Sequence, residues 1–319
     1  MHNGCPQELP LRSLAAVLLL SLSLFAQTSA EPNAKQQLLW QKLESTIHDL
    51  DQNLDGVLGV YILDLTTGHS LSLHADEVFP QASTIKIAVL AELYRQSQQA
   101  GAGRAKLTDL YTVQKSDLVP DSFIMGGLTP GVTRVTNRDL ATMVVAVSDN
   151  SATNVLMDRV GMNNVNALMD SLGLKHTRLQ RKMMDLKAAS EGRENLSTPR
   201  EMTTLLADLY QGKILNKAMT DDFFQLLSTH KESSIPRELP DNVRIANKPG
   251  ELEGVRNDCG VVYAARPFAM CVMTTYLRHE KDGEAAIAKI AAAAYSMLDR
   301  LGRASDYGRV VSPGNSSPR

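Results

Sequence analysis

Strand patterns lie near both ends of this chain, on either side of a long stretch, residues 83–227, whose apolar residues have mostly helical spacing. The early strand pattern covers residues 56–64, which are rich in β-branched and apolar side chains and end at a Thr-Thr-Gly turn. Three later segments have the same character: residues 243–247, 255–264 and 268–277. This order predicts one α/β domain assembled from both ends of the chain, with the helical stretch inserted between them.

The domain boundaries follow from these patterns. Amphipathic segments at residues 32–50 and 283–301 predict two helices that flank the sheet. We expect a discontinuous α/β domain formed by residues 31–82 and 229–303, an all-α domain formed by residues 83–228, and a disordered tail at residues 304–319, which are rich in Ser, Pro, Gly and Arg.

The size and charge of the chain narrow its function. It has 319 residues, 43% of them hydrophobic, and a formal net charge of −2. A chain of this length can bury a large core. The near-neutral charge gives no reason to expect nucleic acid or an anionic membrane as a partner. The histidines are scattered without the spacing of metal ligands, so no metal and no cofactor are expected.

The first thirty residues differ in composition from the rest of the chain. A polar stretch ending in Arg12-Ser13 precedes the apolar run Leu14 to Phe25, and small and polar residues follow as far as Ala30. This order is typical of a secretory signal, and cleavage is expected after Ala30. The apolar run is short for a spanning helix. We therefore expect a periplasmic or secreted protein that is not embedded in a membrane.

Two cysteines, Cys259 and Cys271, would remain after cleavage, because Cys5 lies within the leader. They flank a plausible turn between two strands and would lie nearly opposite each other. A cross-strand disulfide is possible in an oxidising compartment. Two buried free thiols are the favoured alternative.

Ser83 and Lys86 lie at the start of the apolar helical run Ile87 to Leu93. Residues three apart share one face of a helix, about one turn apart. A poorly solvated lysine can be neutral and can remove the proton of a serine. The backbone N–H groups at the helix N-terminus can stabilise an oxyanion formed there. The pair therefore indicates acyl transfer through an acylated Ser83.

Two further motifs supply possible partners. Ser148-Asp149-Asn150 follows a helical run, and Lys248-Pro249-Gly250 closes the strand pattern at residues 243–247. Alone, each motif is weak: Ser-x-x-Lys usually marks a helix start, Ser-Asp-Asn a cap and Lys-Pro-Gly a turn. In this order, in a chain with an export signal, the three together form a strong pattern.

This ordered set resembles the serine β-lactamase and penicillin-binding superfamily, with its Ser-x-x-Lys, Ser-Asp-Asn and Lys-Thr-Gly motifs, and is most similar to class A β-lactamases. The resemblance covers about residues 38–301 and implies a β-lactamase-like fold with an antiparallel sheet. It makes Ser83 the nucleophile, Lys86 its base, Ser148 the proton shuttle and Lys248 their electrostatic partner.

The same resemblance implies the substrate contacts. Asn150 would bind the substrate amide, and Gly250 would let the substrate approach the backbone closely. The backbone N–H groups of Ser83 and Glu251 would form the oxyanion hole. Arg256 falls near the place where such enzymes bind the substrate carboxylate with an arginine, although an exposed strand charge is an equal alternative.

The chain departs from the class A pattern at two important positions. Met183 stands where the family has the glutamate that activates the deacylating water, and a thioether cannot accept that proton. Whether Asp185, Glu191 or Glu194 could substitute is left open. Pro249 removes the hydroxyl that normally meets the substrate carboxylate, which is structurally tolerable on an edge strand.

Three functions are compatible with these observations. The leading hypothesis is an exported serine β-lactamase of class A, a monomer that acts on β-lactam amides and in which deacylation is slow. The alternative is a peptidoglycan D-alanyl-D-alanine peptidase that β-lactams merely block. The third is a non-turnover protein that binds β-lactams or peptidoglycan.

Overall fold

The computed structural model describes residues 1–4, 33–99, 101, 103–305 and 307–310. Most of the expected signal segment, including the cleavage point after Ala30, lies outside the described residues, as does the end of the expected tail. The described part of that tail forms a turn, closed by an antiparallel bridge between Ala304 and Val310 and by a hydrogen bond from Ser305 N to Arg309 O. Across the described ranges, no helix combines the length and the apolar character needed to cross a membrane.

The strands form one main sheet and two small ribbons. Their bounds are β1 Val57–Asp64, β2 Ser70–Leu73, β3 Phe79–Pro80, β4 Leu110–Thr112, β5 Arg134–Thr136, β6 Leu196–Ser197, β7 Ile245–Leu252, β8 Val255–Val262 and β9 Phe268–Thr275. The main sheet has the order β2-β1-β9-β8-β7, and every neighbouring pair in it is antiparallel. Strands from both ends of the chain thus pair directly, as the sequence predicts.

The helices occupy both faces of this sheet. Their bounds are α1 Ala34–Asn53, α2 Lys86–Gln98, α3 Asn137–Ala146, α4 Asn150–Val160, α5 Met162–Ser171, α6 Leu186–Ser190, α7 Pro199–Tyr210, α8 Lys217–Leu227 and α9 Glu280–Arg303. Short 3-10 turns lie at Ala82–Ile85, Lys115–Asp117, Met125–Gly127 and Ile235–Glu238. This mixed fold with an antiparallel sheet is the predicted fold class.

Two apolar layers follow from the alternation of side chains along the strands. On one face of the sheet, Ile62, Val262 and Met270 pack in a cluster with Trp40 of α1 and Ile287 of α9. On the other face, alternate strand residues belong to a second cluster with the helices between Ile85 and Leu227. Members of that cluster on the sheet are Ala246, Cys259, Val261, Ala269, Cys271 and Met273.

The Lys248-Pro249-Gly250 motif lies inside β7 and does not close it. The strand continues to Leu252, with Pro249 opposite Asp258 in the register with β8. Since β7 is the last strand of the sheet, the missing N–H of Pro249 can face away from β8 without breaking a ladder hydrogen bond. Sequence patterns ended the strand early because proline usually marks a turn.

Cys259 of β8 and Cys271 of β9 are directly paired in the antiparallel register, with their Cα atoms 4.0 Å apart. They are joined by a disulfide, so the expectation of two buried free thiols is wrong. The register explains the outcome, because opposite residues of neighbouring strands point to the same face.

Candidate active site

Ser83 lies in the 3-10 turn Ala82–Ile85, immediately before α2 begins at Lys86. Gln81 holds this turn: its carbonyl oxygen accepts from Thr84 N over 3.1 Å and from Thr84 Oγ1 over 2.7 Å. Ser83 is half-buried and lines a cavity of about 540 Å³. The nucleophile predicted from sequence therefore lies at the N-terminal end of a buried helix and is open to a ligand.

Lys86 is fully buried and points toward the second motif. Its Nζ donates to Ser148 O over 2.6 Å, to Ser148 Oγ over 3.0 Å and to Asn150 Oδ1 over 2.9 Å. Three acceptors therefore surround Lys86 Nζ, and none of the Lys86 hydrogen bonds in the described structure goes to Ser83. Burial holds the pKa of Lys86 well below its ordinary value, and the charge of Lys248 lowers it further.

Ser148 connects the two lysines of the site. Its Oγ accepts from Lys86 Nζ and from Lys248 Nζ, each over 3.0 Å. Lys248 is also buried and donates to Pro249 O over 2.9 Å. Burial, with the nearby charge of Lys231, lowers the pKa of Lys248 to about 7. Since both lysines have lowered pKa values and share one hydroxyl, protons can move along this chain of groups.

The backbone around the cavity is held in conformations that side chains usually avoid. Ala82, Asp121, Ser148 and Met184 have φ values of +49°, +55°, +56° and +62°. All four line one or both of the cavities that contain Ser83. Left-handed backbone at residues other than glycine costs about 1–2 kcal/mol and concentrates at functional sites.

Asp149, the middle residue of the second motif, stabilises the backbone around the site. Its carboxylate accepts from Ala152 N at the start of α4 and from Ile124 N and Met125 N. Buried and used in this way, Asp149 fixes the loop of residues 121–125 against the motif. The motif thus contributes Ser148 and Asn150 to the cavity and uses Asp149 as a brace.

Gly250 allows β7 to lie directly against the turn that carries Ser83. A Cβ at this position would meet Gln81 O at 2.7 Å and the backbone nitrogens of Ser83 and Thr84 at 2.9 Å. Real Cβ atoms do not approach backbone this closely, so only glycine fits. Glu251, the next residue, lines both cavities that contain Ser83.

Met183 lies in a second, smaller cavity of about 130 Å³ that also includes Ser83. The side-chain amide of Asn154 fixes its backbone: Asn154 Oδ1 accepts from Met183 N over 2.8 Å, and Asn154 Nδ2 donates to Met183 O over 3.1 Å. The Met183 side chain is buried. A thioether therefore occupies a fixed position beside the nucleophile.

The three acidic residues that follow Met183 in the sequence have other partners. Asp185 accepts from Ala188 N at the start of α6, and Glu191 pairs with Arg193 on the surface. Only Glu194 lines the smaller cavity. Its carboxylate accepts two hydrogen bonds from Arg181, over 2.8 and 3.1 Å, which holds it as a paired anion.

Arg256 is not brought to either cavity. Its neighbour Asn257 donates to Pro80 O on the nucleophile's side of the sheet, so Arg256 points to the opposite face. There its Nε donates to Glu284 of α9 over 3.0 Å, and its Nη1 donates to the carbonyls of Leu252 and Val255. The structure therefore does not support a substrate contact by Arg256.

Lys231 is a charged cavity residue that the sequence did not predict. Lys231, in the segment between α8 and the turn Ile235–Glu238, lines the same cavity as Ser83 and Lys248. It belongs to no motif, and a lysine in a polar stretch normally indicates a solvated loop. Only the packing of this segment against β7 shows that it is a site residue.

Comparison with known proteins agrees with this geometry. Residues 42–298 match the family described as "Beta-lactamase enzyme family". The carbapenem-hydrolyzing β-lactamase KPC of Klebsiella oxytoca is 33% identical over 262 residues, which are 79% of this chain and 87% of the relative. The imipenem-hydrolyzing β-lactamase of Enterobacter cloacae is 28% identical over 297 residues, 89% of this chain and 94% of the relative.

Solved structures show the same relationship. A β-lactamase from Sphaerobacter thermophilus is 30% identical with a TM-score of 0.72, over 80% of this chain and 96% of the other. A mutant of PBP-A, solved as an acyl-enzyme complex with penicillin G, is 25% identical with a TM-score of 0.74, over 82% and 97%. With its ordered motifs gathered around one serine, this chain belongs to the β-lactamase enzyme family, as a divergent member of class A.

Proposed function

We propose that this protein is an exported serine hydrolase that opens β-lactam amides through an acyl-Ser83 intermediate and releases the product slowly. The observation that carries the proposal is the junction at Ser148, where two buried lysines donate to one hydroxyl beside the nucleophile's cavity. Such a junction has little value for stability, since it is costly to bury two amines that would be charged in water. It has clear value for moving a proton.

Acylation begins with removal of the Ser83 proton by neutral Lys86. The two groups lie one helical turn apart, and catalytic hydrogen bonds often form only in the substrate complex. Ser83 Oγ then attacks the lactam carbonyl carbon. The carbon–nitrogen bond breaks, the ring nitrogen takes a proton from Ser148, and Ser148 regains one from Lys86. The products of this step are an ester on Ser83 and a free amine.

The negative charge that develops on the carbonyl oxygen needs donors near Ser83. We assign this role to the N–H groups of Ser83 and Glu251. Pro249 has no N–H to donate to β8, so we expect the nitrogen of Pro249 to face the free edge of β7. Backbone N–H groups two residues apart in a strand point the same way, so the N–H of Glu251 also faces this edge. The close contact at Gly250 keeps that edge against the turn of Ser83. Asn150 would hold the amide of the substrate's acyl group.

Release of the acyl group is the weak step. Hydrolysis of the ester needs a base for the attacking water, and Met183 offers none. Loss of a general base typically slows a reaction by about 10²–10⁴-fold. Of the three acidic residues Asp185, Glu191 and Glu194, only Glu194 lines the smaller cavity with Met183, and Arg181 holds it as an ion pair. Asp121 and Glu251 also line this cavity, but neither comes from the segment that replaces the family's glutamate. We therefore expect the acyl-enzyme to persist.

The absence of a base at Met183 also favours a second candidate. This is a peptidoglycan D-alanyl-D-alanine peptidase that β-lactams acylate for a long time. Its acylation step would use the same residues. Its natural ester would carry a peptide, and deacylation of that ester would depend on groups supplied by the substrate or by an ordered water.

A time course of intact mass after exposure to benzylpenicillin separates these candidates. The proposal predicts an adduct on wild-type protein that is absent from Ser83→Ala and disappears slowly, with measurable turnover of a chromogenic cephalosporin. A stable adduct without turnover, together with release of D-alanine from a D-alanyl-D-alanine peptide, would favour the peptidase. No adduct with any compound would contradict both and indicate a non-turnover binding protein.

Export has its own test. The signal reading of residues 1–30 predicts a mature chain that begins at Glu31. Expression of the full chain in a bacterial host, followed by mass analysis of the periplasmic fraction, would measure the new N-terminus. A full-length chain confined to the cytoplasm would contradict this part of the proposal.

A further inference from the structure

Lys231 is a cation that shares the main cavity with the catalytic groups. The cavity of about 540 Å³ is lined by Lys231 together with Ser83, Ser148 and Lys248. Lys231 is half-buried, so its ammonium group has lost part of its hydration. A cation in such a place needs either a counter-ion or a ligand, because charges are costly to remove from water.

The protein supplies Lys231 with only a partial set of partners. Its Nζ donates to Leu227 O over 2.9 Å and makes a long contact of 3.5 Å with Asn247 Oδ1. Within the described residues, no third acceptor reaches the nitrogen, and no carboxylate oxygen lies within 4.0 Å of it. An ammonium group has three donors, so at least one is left for a ligand.

Asp258, the buried acid whose charge acts on Lys231, already has other hydrogen-bond partners. Asp258 accepts from Ser234 N and Ile235 N, each over 3.0 Å, and from Asn247 Nδ2 over 2.8 and 3.0 Å. Burial raises the pKa of Asp258 to about 6, so the carboxylate is ionised at neutral pH but is used by these donors. It attracts Lys231 at a distance without pairing with it.

Lys231 remains largely protonated at neutral pH, although burial lowers its pKa to about 8. Its charge also contributes to the low pKa of Lys248, which lines the same cavity. Asp121, Glu232 and Glu251 also line the cavity and would repel an anion that came close to them, so the favourable position for an anion is at the free donor of Lys231.

The other groups expected to bind a substrate anion are absent from this place. Arg256 is tied to Glu284 on the opposite face of the sheet. Pro249 has no hydroxyl to offer. The carboxylate attached to the ring beside a β-lactam amide, or at the end of a D-alanyl-D-alanine peptide, would therefore need another partner.

We propose that Lys231 is the anion-binding residue of this cavity and that it takes the substrate carboxylate adjacent to the scissile amide. This assignment rests on the proposed function, since it names the part of the substrate that Lys231 recognises. Lys231 acts in binding and orientation and takes no part in proton transfer to or from Ser83.

Equilibrium binding to Ser83→Ala protein tests the assignment without any need for acylation. Benzylpenicillin and its methyl ester, which differ only in the anion, would be titrated by NMR into Ser83→Ala alone and combined with Lys231→Met, Lys231→Arg or Lys217→Met. The control residue Lys217 lies on α8 with 88% of its side chain exposed, and losing it removes the same charge from the chain.

The expected result is a loss of affinity for the free acid of roughly 10- to 100-fold in Lys231→Met, the effect of one charge-assisted hydrogen bond. Lys231→Arg should restore most of it, Lys217→Met should change nothing, and the methyl ester should bind all four proteins alike. Equal binding of acid and ester to the Ser83→Ala parent, or an equal loss for both in Lys231→Met, would overturn the proposal, as would no binding of either.

A parallel mass measurement on protein with Ser83 intact separates this proposal from the proposed function. The second-order rate of adduct formation should fall in Lys231→Met for benzylpenicillin, while the limiting rate at saturation stays unchanged. Absence of any adduct in wild type would reject the acyl-enzyme, and the binding titration would still decide the role of Lys231.

Discussion

The side-chain amide of Asn154 holds the backbone of Met183 on both sides, accepting from its N–H over 2.8 Å and donating to its carbonyl over 3.1 Å. Both residues are buried, and the cavity that contains Met183 also contains Ser83. Asn154 thus fixes the backbone of residue 183 beside Ser83. What departs from the class A pattern is the side chain at this position, a methionine in place of a glutamate.

Replacing Met183 with glutamate should accelerate release of the acyl group. The fixed backbone would direct a carboxylate into the cavity of Ser83, where it could activate water, and the gain should be up to about 10²–10⁴-fold. The measurement is the lifetime of the penicillin adduct by intact mass. Met183→Gln is the matched control, because it has the same shape without a base and should leave the lifetime unchanged. An unaltered lifetime in Met183→Glu would mean that the carboxylate does not reach the ester.

Removing the hydroxyl that joins the two lysines should slow acylation strongly while leaving the fold intact. Ser148→Gly and Ser148→Ala should both lower the acylation rate by about 10²–10⁴-fold, since the shuttle between Lys86 and Lys248 is lost. Because φ of residue 148 is +56°, the glycine variant should be more stable than the alanine variant by about 1 kcal/mol. Stopped-flow acylation and urea unfolding check the two parts. Normal acylation in either variant would remove Ser148 from the mechanism.

A single methyl group at Gly250 should disrupt the site. The added Cβ would lie 2.7 Å from Gln81 O, so β7 must move away from the turn of Ser83. We expect Gly250→Ala to lower the free energy of unfolding by about 1–3 kcal/mol and to reduce acylation sharply. Gly127→Ala is the control, since a Cβ there meets nothing within 4 Å. Equal behaviour of the two variants in urea unfolding and acylation would show that the close contact has no consequence.

The buried Lys248 should make the protein more stable at alkaline pH. Its pKa is about 7 in the folded state, against an ordinary value of 10.5. Between these values the unfolded chain binds more protons than the folded one, so the free energy of unfolding rises with pH, by at most about 1.4 kcal/mol per pH unit from this group. Urea unfolding at pH 7, 8 and 9 should show a smaller rise in Lys248→Met than in wild type, and Lys217→Met should match wild type. Identical slopes in all three proteins would argue against a lowered pKa.

Much of the fold could be predicted because its patterns are local. Apolar alternation in the strands, helical spacing at both ends of the chain and the resemblance carried by three short motifs led to the same architecture. The ends of elements were less certain: β7 runs on through Pro249 because an edge strand tolerates a residue without N–H. The pairing of Cys259 with Cys271 depends on register, which sequence alone does not fix.

The residues of the candidate site could be predicted where they belong to a sequence motif. They could not be predicted where only the packing of distant segments brings a side chain to the cavity. The structure brings Ser83, Lys86, Ser148, Asn150 and Lys248 together around one cavity or its lysine–serine junction. Arg256 fails because a shift of one position along a strand reverses its face. Lys231 was missed for the opposite reason, since nothing in its local sequence distinguishes it from a surface lysine.

The contact between Gly250 and the turn of Ser83 has a consequence for how this protein becomes active. It joins groups 167 positions apart in the chain, so the pocket cannot exist in a nascent polypeptide until β7 has been synthesised and has docked. Fragments that end before β7 would keep Ser83 and α2 but would lack Lys248, Pro249 and Glu251, which line the cavity. Reactivity of Ser83 toward an acylating probe would therefore report that β7 has docked and that the chain has folded.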